Sequence, residues 1–316
     1  MSDPSSFRGQ RWTATDGLEL YSRVYDAAPA GALSVLCLPG LTRNSRDFEA
    51  LAPYLARRYR VVCPDLRGRG LSARDPQWRN YHPGVYVGDI ERLMDVLELQ
   101  RVAIIGTSLG GLLAMLLAAA LPQRVAGIVV NDIGPQADPR GIERVRSYAG
   151  KLPPVRSWEE AIAQHRQVNG QAWPGLTDEQ WAVLARRCYR EDASGVPVFD
   201  YDPRIGELIS AAPAVPADLW SVFSRLRAMP MLVIRGELSD ILSLGILQRM
   251  QREKPDLESL TVPDRGHAPL LDEPQEIAAI DRFLKRLRGV EERGYGFNDL
   301  SGECGVRDPH CGSGKQ

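Results

Sequence analysis

Val102-Ala103-Ile104-Ile105-Gly106-Thr107-Ser108-Leu109-Gly110-Gly111 is the stretch on which the rest of the chain turns. Val102 to Gly106 has no polar interruption, as expected of a parallel strand buried on both faces. Ser108 to Leu121 is rich in Leu and Ala and reads as an apolar helix. Between the two lies a Gly-x-Ser-x-Gly match, where small neighbours permit a sharp strand-to-helix turn that lifts the serine above a sheet edge. The helix begins at that serine, so its first N–H groups, including that of Leu109, face any oxyanion formed by attack on a carbonyl. A serine that merely caps a helix is the plainer reading of the same residues.

Outward from this point the pattern repeats. Apolar runs at Leu33 to Leu38, Arg60 to Pro64 and Gly127 to Asn131 alternate with helical stretches at Arg46 to Arg58 and Val85 to Leu99. Such alternation means a mostly parallel sheet covered by helices. Gln10 to Thr15 and Leu18 to Tyr25, joined by Asp16-Gly17, read as a preceding hairpin. The alternation resumes with strands at Met231 to Arg235 and Leu257 to Val262 and a helix at Gln275 to Arg288. In the gap, helical periodicity at Ile142 to Ala149, Trp158 to Val168, Asp178 to Tyr189 and Asp218 to Arg227 is broken by joints such as Pro153-Pro154. The expected organisation is therefore a core of residues 1–132 and 229–288, an inserted helical cap of residues 133–228, and a Gly-rich, disordered tail of residues 289–316.

The 316 residues suffice for a sizeable core, and 44% hydrophobic with 25% charged residues excludes a disordered chain or a disulfide scaffold. A net charge of −1 gives no field to attract nucleic acid or anionic lipid. The five cysteines (Cys37, Cys63, Cys188, Cys304, Cys311) are odd in number and widely spaced, which fits reduced thiols in a cytoplasmic protein. The polar start, Met1 to Trp12, shows no secretory signal, and Leu109 to Leu121 falls short of the roughly 20 residues of a membrane span. Cys304, His310 and Cys311 are too few for a closed four-ligand zinc site, so no metal is expected.

A serine nucleophile needs a base, and the base needs an orienting acid. Of the four histidines, His267 follows the last strand, on a loop able to return over the sheet's carboxyl edge. His82 and His165 fall in a loop and a cap helix, where a surface role is the plainer reading. Glu237 and Asp240 follow the strand Met231 to Arg235, and Asp240, further into the loop, is the favoured acid. Asp132, after Asn131, is a third candidate, although it also reads as a carboxylate ordering the Gly134-Pro135 turn. The second oxyanion donor is expected on the loop after Leu38, where Gly40 lets the backbone turn closely and offers the Leu41 N–H. Arg43 and Asn44 on that loop are candidates for touching substrate, or for simple solvation. Trp158, Trp173, Trp181, Trp220 and Phe223 are candidates for an apolar substrate wall, or for cap core.

Taken together, Leu38-Pro39-Gly40-Leu41 with Phe48, Pro64-Asp65-Leu66-Arg67-Gly68-Arg69-Gly70-Leu71-Ser72, Gly106 to Gly111, Arg235 to Asp240 and Gly266-His267-Ala268-Pro269 resemble an α/β-hydrolase-fold enzyme with a helical cap. They run in the family's order across about residues 10–288. The resemblance implies an α/β-hydrolase fold with an eight-stranded, mostly parallel sheet, helices on both faces, no cofactor, and Ser108, Asp240 and His267 as a triad. Many relatives carry His-Gly where this chain has Pro39-Gly40. Relatives that open epoxides or displace halide place aspartate at the elbow, so Ser108 points instead to carbonyl carbon. The resulting expectation is a serine-dependent hydrolase of small carboxylic esters. The alternatives are a lactonase, a carbon–carbon hydrolase of the meta-cleavage-product type using Arg43, Arg144 or Arg190 as a carboxylate clamp, or a non-catalytic ligand receptor.

Overall fold

The computed structural model describes residues 3–211 and 218–294. The strands are β1 (Arg8–Thr13), β2 (Glu19–Tyr25), β3 (Ser34–Leu38), β4 (Arg60–Asp65), β5 (Val102–Thr107), β6 (Val125–Asn131), β7 (Tyr189–Glu191), β8 (Pro197–Phe199), β9 (Met231–Gly236) and β10 (Glu258–Val262). The helices are α1 (Leu51–Ala56), α2 (Pro83–Val96), α3 (Leu109–Ala120), α4 (Pro139–Tyr148), α5 (Trp158–Asn169), α6 (Asp178–Cys188), α7 (Ile205–Ala211), α8 (Trp220–Ser224), α9 (Leu244–Glu253) and α10 (Pro274–Gly294).

Eight strands form one sheet in the order β1-β2-β4-β3-β5-β6-β9-β10. The pairs β1–β2 and β2–β4 are antiparallel, and every other pair in it is parallel. This is the mostly parallel sheet that the alternation foretold, with the eight strands that the resemblance implied. Side chains alternate between its faces. Leu36, Leu38, Val62, Ile104 and Val130 join Leu113 and Leu117 of α3 on one side. Val35, Cys37, Val61, Cys63, Ile105 and Val129 meet Leu51 and Leu55 of α1 and Phe283 and Leu284 of α10 on the other. Burial on both faces is why the strands carry no polar alternation.

Several elements depart from expectation. The helix expected over residues 46–58 is split into a 3-10 turn at Ser45–Phe48 and α1, because Pro53 lacks the N–H needed to continue a helix back through Glu49. Helix α9, capped by the Ser243 side chain, fills the crossover that parallel β9 and β10 require. The insertion between β6 and β9 is not purely helical, since β7 and β8 pair as an antiparallel hairpin within it. Helix α10 continues to Gly294, past the expected start of the tail. The remainder of that tail, with Cys304, His310 and Cys311, lies outside the described residues. Cys37, Cys63 and Cys188 are free and buried. Among the described residues no helix is long and apolar enough to cross a membrane.

Candidate active site

Ser108 sits between β5 and α3 with φ 53° and ψ −115°, a conformation that non-glycine residues adopt rarely. Close packing around it leaves no room for side chains on either flank. A Cβ on Gly106 would lie 2.2 Å from the Gly110 carbonyl oxygen, and one on Gly110 would lie 2.0 Å from that of Leu38. The glycines of the motif are therefore obligatory, and the Ser108 N–H, bonded to Asn131 O at 2.9 Å, pins the elbow to the neighbouring strand.

His267 Nε2 lies 2.9 Å from Ser108 Oγ, as the sequence led us to expect of this pair. Its Nδ1 lies 2.8 Å from Oδ2 of Asp132, not from Asp240. The expected acid is thus displaced by one strand, from the end of β9 to the end of β6. Asp240 is engaged elsewhere: Arg144 of α4 donates to both of its oxygens, at 2.5 and 2.9 Å. Burial opposes the Asp240 charge, but this guanidinium outweighs it and holds the carboxyl below its ordinary value.

Asp132 is fully buried with φ 57°, a backbone region aspartate tolerates better than most residues. Its Oδ1 accepts from the Gly236 N–H at 2.8 Å, and its Oδ2 accepts from Ser239 Oγ at 2.6 Å as well as facing His267. The β9 loop therefore contributes Ser239, which holds the acid, rather than the acid itself. The histidine loop is tied in by Asn131 Nδ2, which donates to Pro269 O at 2.8 Å. Because Asp132 Oδ2 can only accept when ionised, His267 carries its proton on Nδ1 and presents a bare Nε2 to the serine.

Gly40 and Leu41 line the space beside Ser108, and a Cβ on Gly40 would lie 3.8 Å from Ser108 Cβ. Leu109, the first residue of α3, has an N–H with no carbonyl a turn back to receive it. Above these groups opens a cavity of about 870 Å³, lined from the sheet side by Ser108, Ile133 and His267 and from the insertion by Tyr148, His165 and Trp173.

Of the expected substrate contacts, Arg43 lines this cavity, but Asp47 accepts from its Nε and NH2 groups, and its NH1 abuts Cys188 Sγ. Asn44 does not line it. It is buried, caps the Ser45–Phe48 turn, and donates to Arg187 O and Asp200 Oδ2. Trp158, Trp220 and Phe223 are likewise absent from the wall. Trp158 donates to Glu191, while Trp220 and Phe223 stack edge-on in the core. Trp181 belongs to a small cluster in the insertion, whereas Trp173 does reach the cavity and donates to Ala268 O.

His165 was expected at a surface and is instead buried in the cavity wall, its ring lowered to about 3 by burial and, secondarily, by Arg43. His82 caps α2 and also borders the cavity. Helical spacing alone does not disclose these wall residues, because it does not say which face of an inserted helix looks down on the sheet.

The family model described as alpha/beta hydrolase fold matches residues 34–274. The chain is 34% identical over 264 residues to the 3-hydroxybutyrate-oligomer hydrolase of Cupriavidus necator, covering 81% of this chain and 89% of that protein. It is 26% identical over 235 residues to the 2-(acetamidomethylene)succinate hydrolase of Mesorhizobium japonicum, covering 74% and 81% respectively. A crystal structure of an alpha/beta hydrolase from Novosphingobium aromaticivorans superposes with a TM-score of 0.84 at 43% identity, covering 90% of this chain and 99% of that one. With the elbow, the sheet order and these likenesses in agreement, the chain belongs to the alpha/beta hydrolase fold family.

Proposed function

We propose that this hydrolase cleaves small carboxylic esters through an acyl-enzyme on Ser108. The observation that carries the reading is the continuous chain from Ser108 Oγ through His267 to buried Asp132, opening into the large cavity. His267 removes the Ser108 proton as Oγ attacks the carbonyl carbon, and Asp132 stabilises the imidazolium that forms. The N–H groups of Leu41 and Leu109 receive the developing oxyanion. His267 then protonates the leaving alkoxide, and a water activated by the same ring releases the acid. The insertion serves as the cap that encloses the substrate. The likeness to the 3-hydroxybutyrate-oligomer hydrolase favours short hydroxyacyl esters among the substrates.

One observation supports a second reading, carbon–carbon cleavage of a dienol-ketone acid. Arg187, buried in the cavity wall, has an Nε without a hydrogen-bond partner among the described residues, and its nearest carboxylate, Asp272, is 3.9 Å away. It would serve as the carboxylate clamp in place of Arg43, Arg144 and Arg190, whose charges are met by Asp47, Asp240 and Asp200.

Initial rates on p-nitrophenyl esters from acetate to octanoate and on 3-hydroxybutyrate dimer, for the wild type and Ser108→Ala, decide between them. Ester turnover that falls about a thousandfold or more in the variant establishes the ester reading. Turnover of dienol-ketone acids with inert esters establishes the other.

A further inference from the structure

Arg69 is buried, with about 1% of its surface exposed, and forms no ion pair within 4 Å among the described residues. Its Nε and NH1 are instead spent on neutral oxygens, while its NH2 is buried with no hydrogen-bond partner among the described residues. Nε donates to Leu41 O at 2.9 Å, and NH1 donates to Arg67 O and Tyr86 Oη at 2.7 Å each. The Tyr86 and Tyr81 rings stand beside it, with their centroids 4.9 and 5.7 Å from the guanidinium carbon. Burying a cation without a carboxylate is costly, so its placement against the Leu41 carbonyl calls for a reason beyond stability.

The segment carrying Arg69 is also where the insertion touches the core. Arg69 bridges Tyr201, the Gly70 N–H donates to Asp200 O, and the Asp202 N–H donates to Gly68 O. Asp200 reaches in turn to the far side of the Leu41 loop, where it accepts from Asn44 Nδ2 and Arg46 NH2. The Gly40 to Arg46 loop is therefore held from one end by Arg69 and from the other by Asp200, and both anchors belong to a single seam between insertion and core.

We propose that Arg69 is a positioning residue for the oxyanion site: by fixing the Leu41 carbonyl it fixes the attitude of the adjoining Gly40–Leu41 peptide, and so makes the quality of the oxyanion site depend on how the insertion is seated. The inference rests on the reading of Leu41 as an oxyanion donor. Arg69 touches no reacting atom. Its effect falls on the transition state, because a donor displaced by about 1 Å costs on the order of a hundredfold in rate while ground-state binding is little altered.

The test compares an oxo ester with the matching thionoester, whose sulfur is a poor acceptor for oxyanion-site donors. It is run on the wild type, Arg69→Met, Arg69→Lys and Tyr86→Phe, with kcat and KM determined separately. In the wild type the oxo substrate is strongly preferred. In Arg69→Met, kcat on the oxo ester falls about ten- to a hundredfold with KM nearly constant, the oxo-to-thiono preference shrinks by a similar factor, and Arg69→Lys recovers part of it. If the wild type turns over both esters without preference, it is the oxyanion reading of Leu41 that fails. If the wild type discriminates and Arg69→Met and Tyr86→Phe keep the full preference, the positioning role of Arg69 is overturned. Should Arg69→Met not fold, Arg69→Lys and Tyr86→Phe decide by the same ratio, since both keep the packing largely intact.

Discussion

On the sheet side of the cavity Asp132 accepts from Gly236, Ser239 and His267, and the Ser108 N–H is bonded to Asn131. On the side supplied by the insertion, His165 Nε2 and Arg187 Nε are buried with no hydrogen-bond partner among the described residues. The chain from Ser108 through His267 to Asp132 is complete before any substrate arrives, as reaction machinery must be if it is to avoid reorganising during the reaction. The insertion side leaves polar groups whose burial costs about 1–3 kcal/mol each until something satisfies them. A satisfied catalytic chain serves chemistry common to many substrates, and the unpartnered groups in the cavity wall are where a particular substrate is recognised.

The largest effect that would break this contrast concerns the two aspartates. Asp132→Asn should lower kcat about a thousand- to ten-thousandfold, because an amide no longer fixes the His267 tautomer or supports its charge. Asp240→Asn, which only loosens the Arg144 contact, should stay within about tenfold of the wild type. Steady-state kinetics on one ester measures both, and a reversed order would return the acid to the β9 loop.

A smaller effect separates wall from core. Trp220→Ala should cost about 3–5 kcal/mol in urea unfolding, since the ring is buried in the main cluster, while KM on the same ester moves less than about threefold. A KM that rises tenfold would put Trp220 back on the substrate wall.

Two titrations sharpen the comparison through stability. His165 is lowered to about 3, so between pH 3 and its ordinary value of 6.5 the unfolded chain binds the extra proton and the fold loses stability as pH falls. His165→Gln should flatten this acid limb in denaturant melts at pH 4 to 7. Glu276, at the start of α10, is pushed up to about 7 by burial, and its Oε1 has no hydrogen-bond partner among the described residues. Its folded form holds a proton the unfolded chain has lost, so stability declines as pH rises from about 4.5 through 7 and stays lower above. Glu276→Gln should therefore gain about 3 kcal/mol at pH 8 and almost nothing at pH 4. Equal shifts at both pH values would mean that the carboxyl ionises freely in the fold.

The sheet and the nucleophile were legible because their causes are local. Gly106, Gly110 and Ser108 are dictated by contacts within one turn, and the alternating apolar runs by burial on two faces. His267 could be read from its place after the last strand. The acid could not, because Asp132 and Asp240 both follow strand ends, and the choice depends on which loop leans under His267. Here the β9 loop donates Ser239 and the strand beside it donates Asp132, a division set by three-dimensional packing alone. The wall of the insertion was least legible. Trp158 opens a stretch read as helix and Trp173 lies just beyond its end, yet one pairs with Glu191 and the other overhangs the cavity.

The sheet order leaves β1 and β10 as open rims, and unpaired strand rims invite stacking of one molecule upon another. Both are fenced with charge. Arg8 and Arg11 of β1 pair with Asp26 and Glu19, and Glu258 of β10 pairs with Arg286. A foreign strand approaching either rim would meet these charged side chains, which disfavour edge-to-edge stacking of one molecule on another.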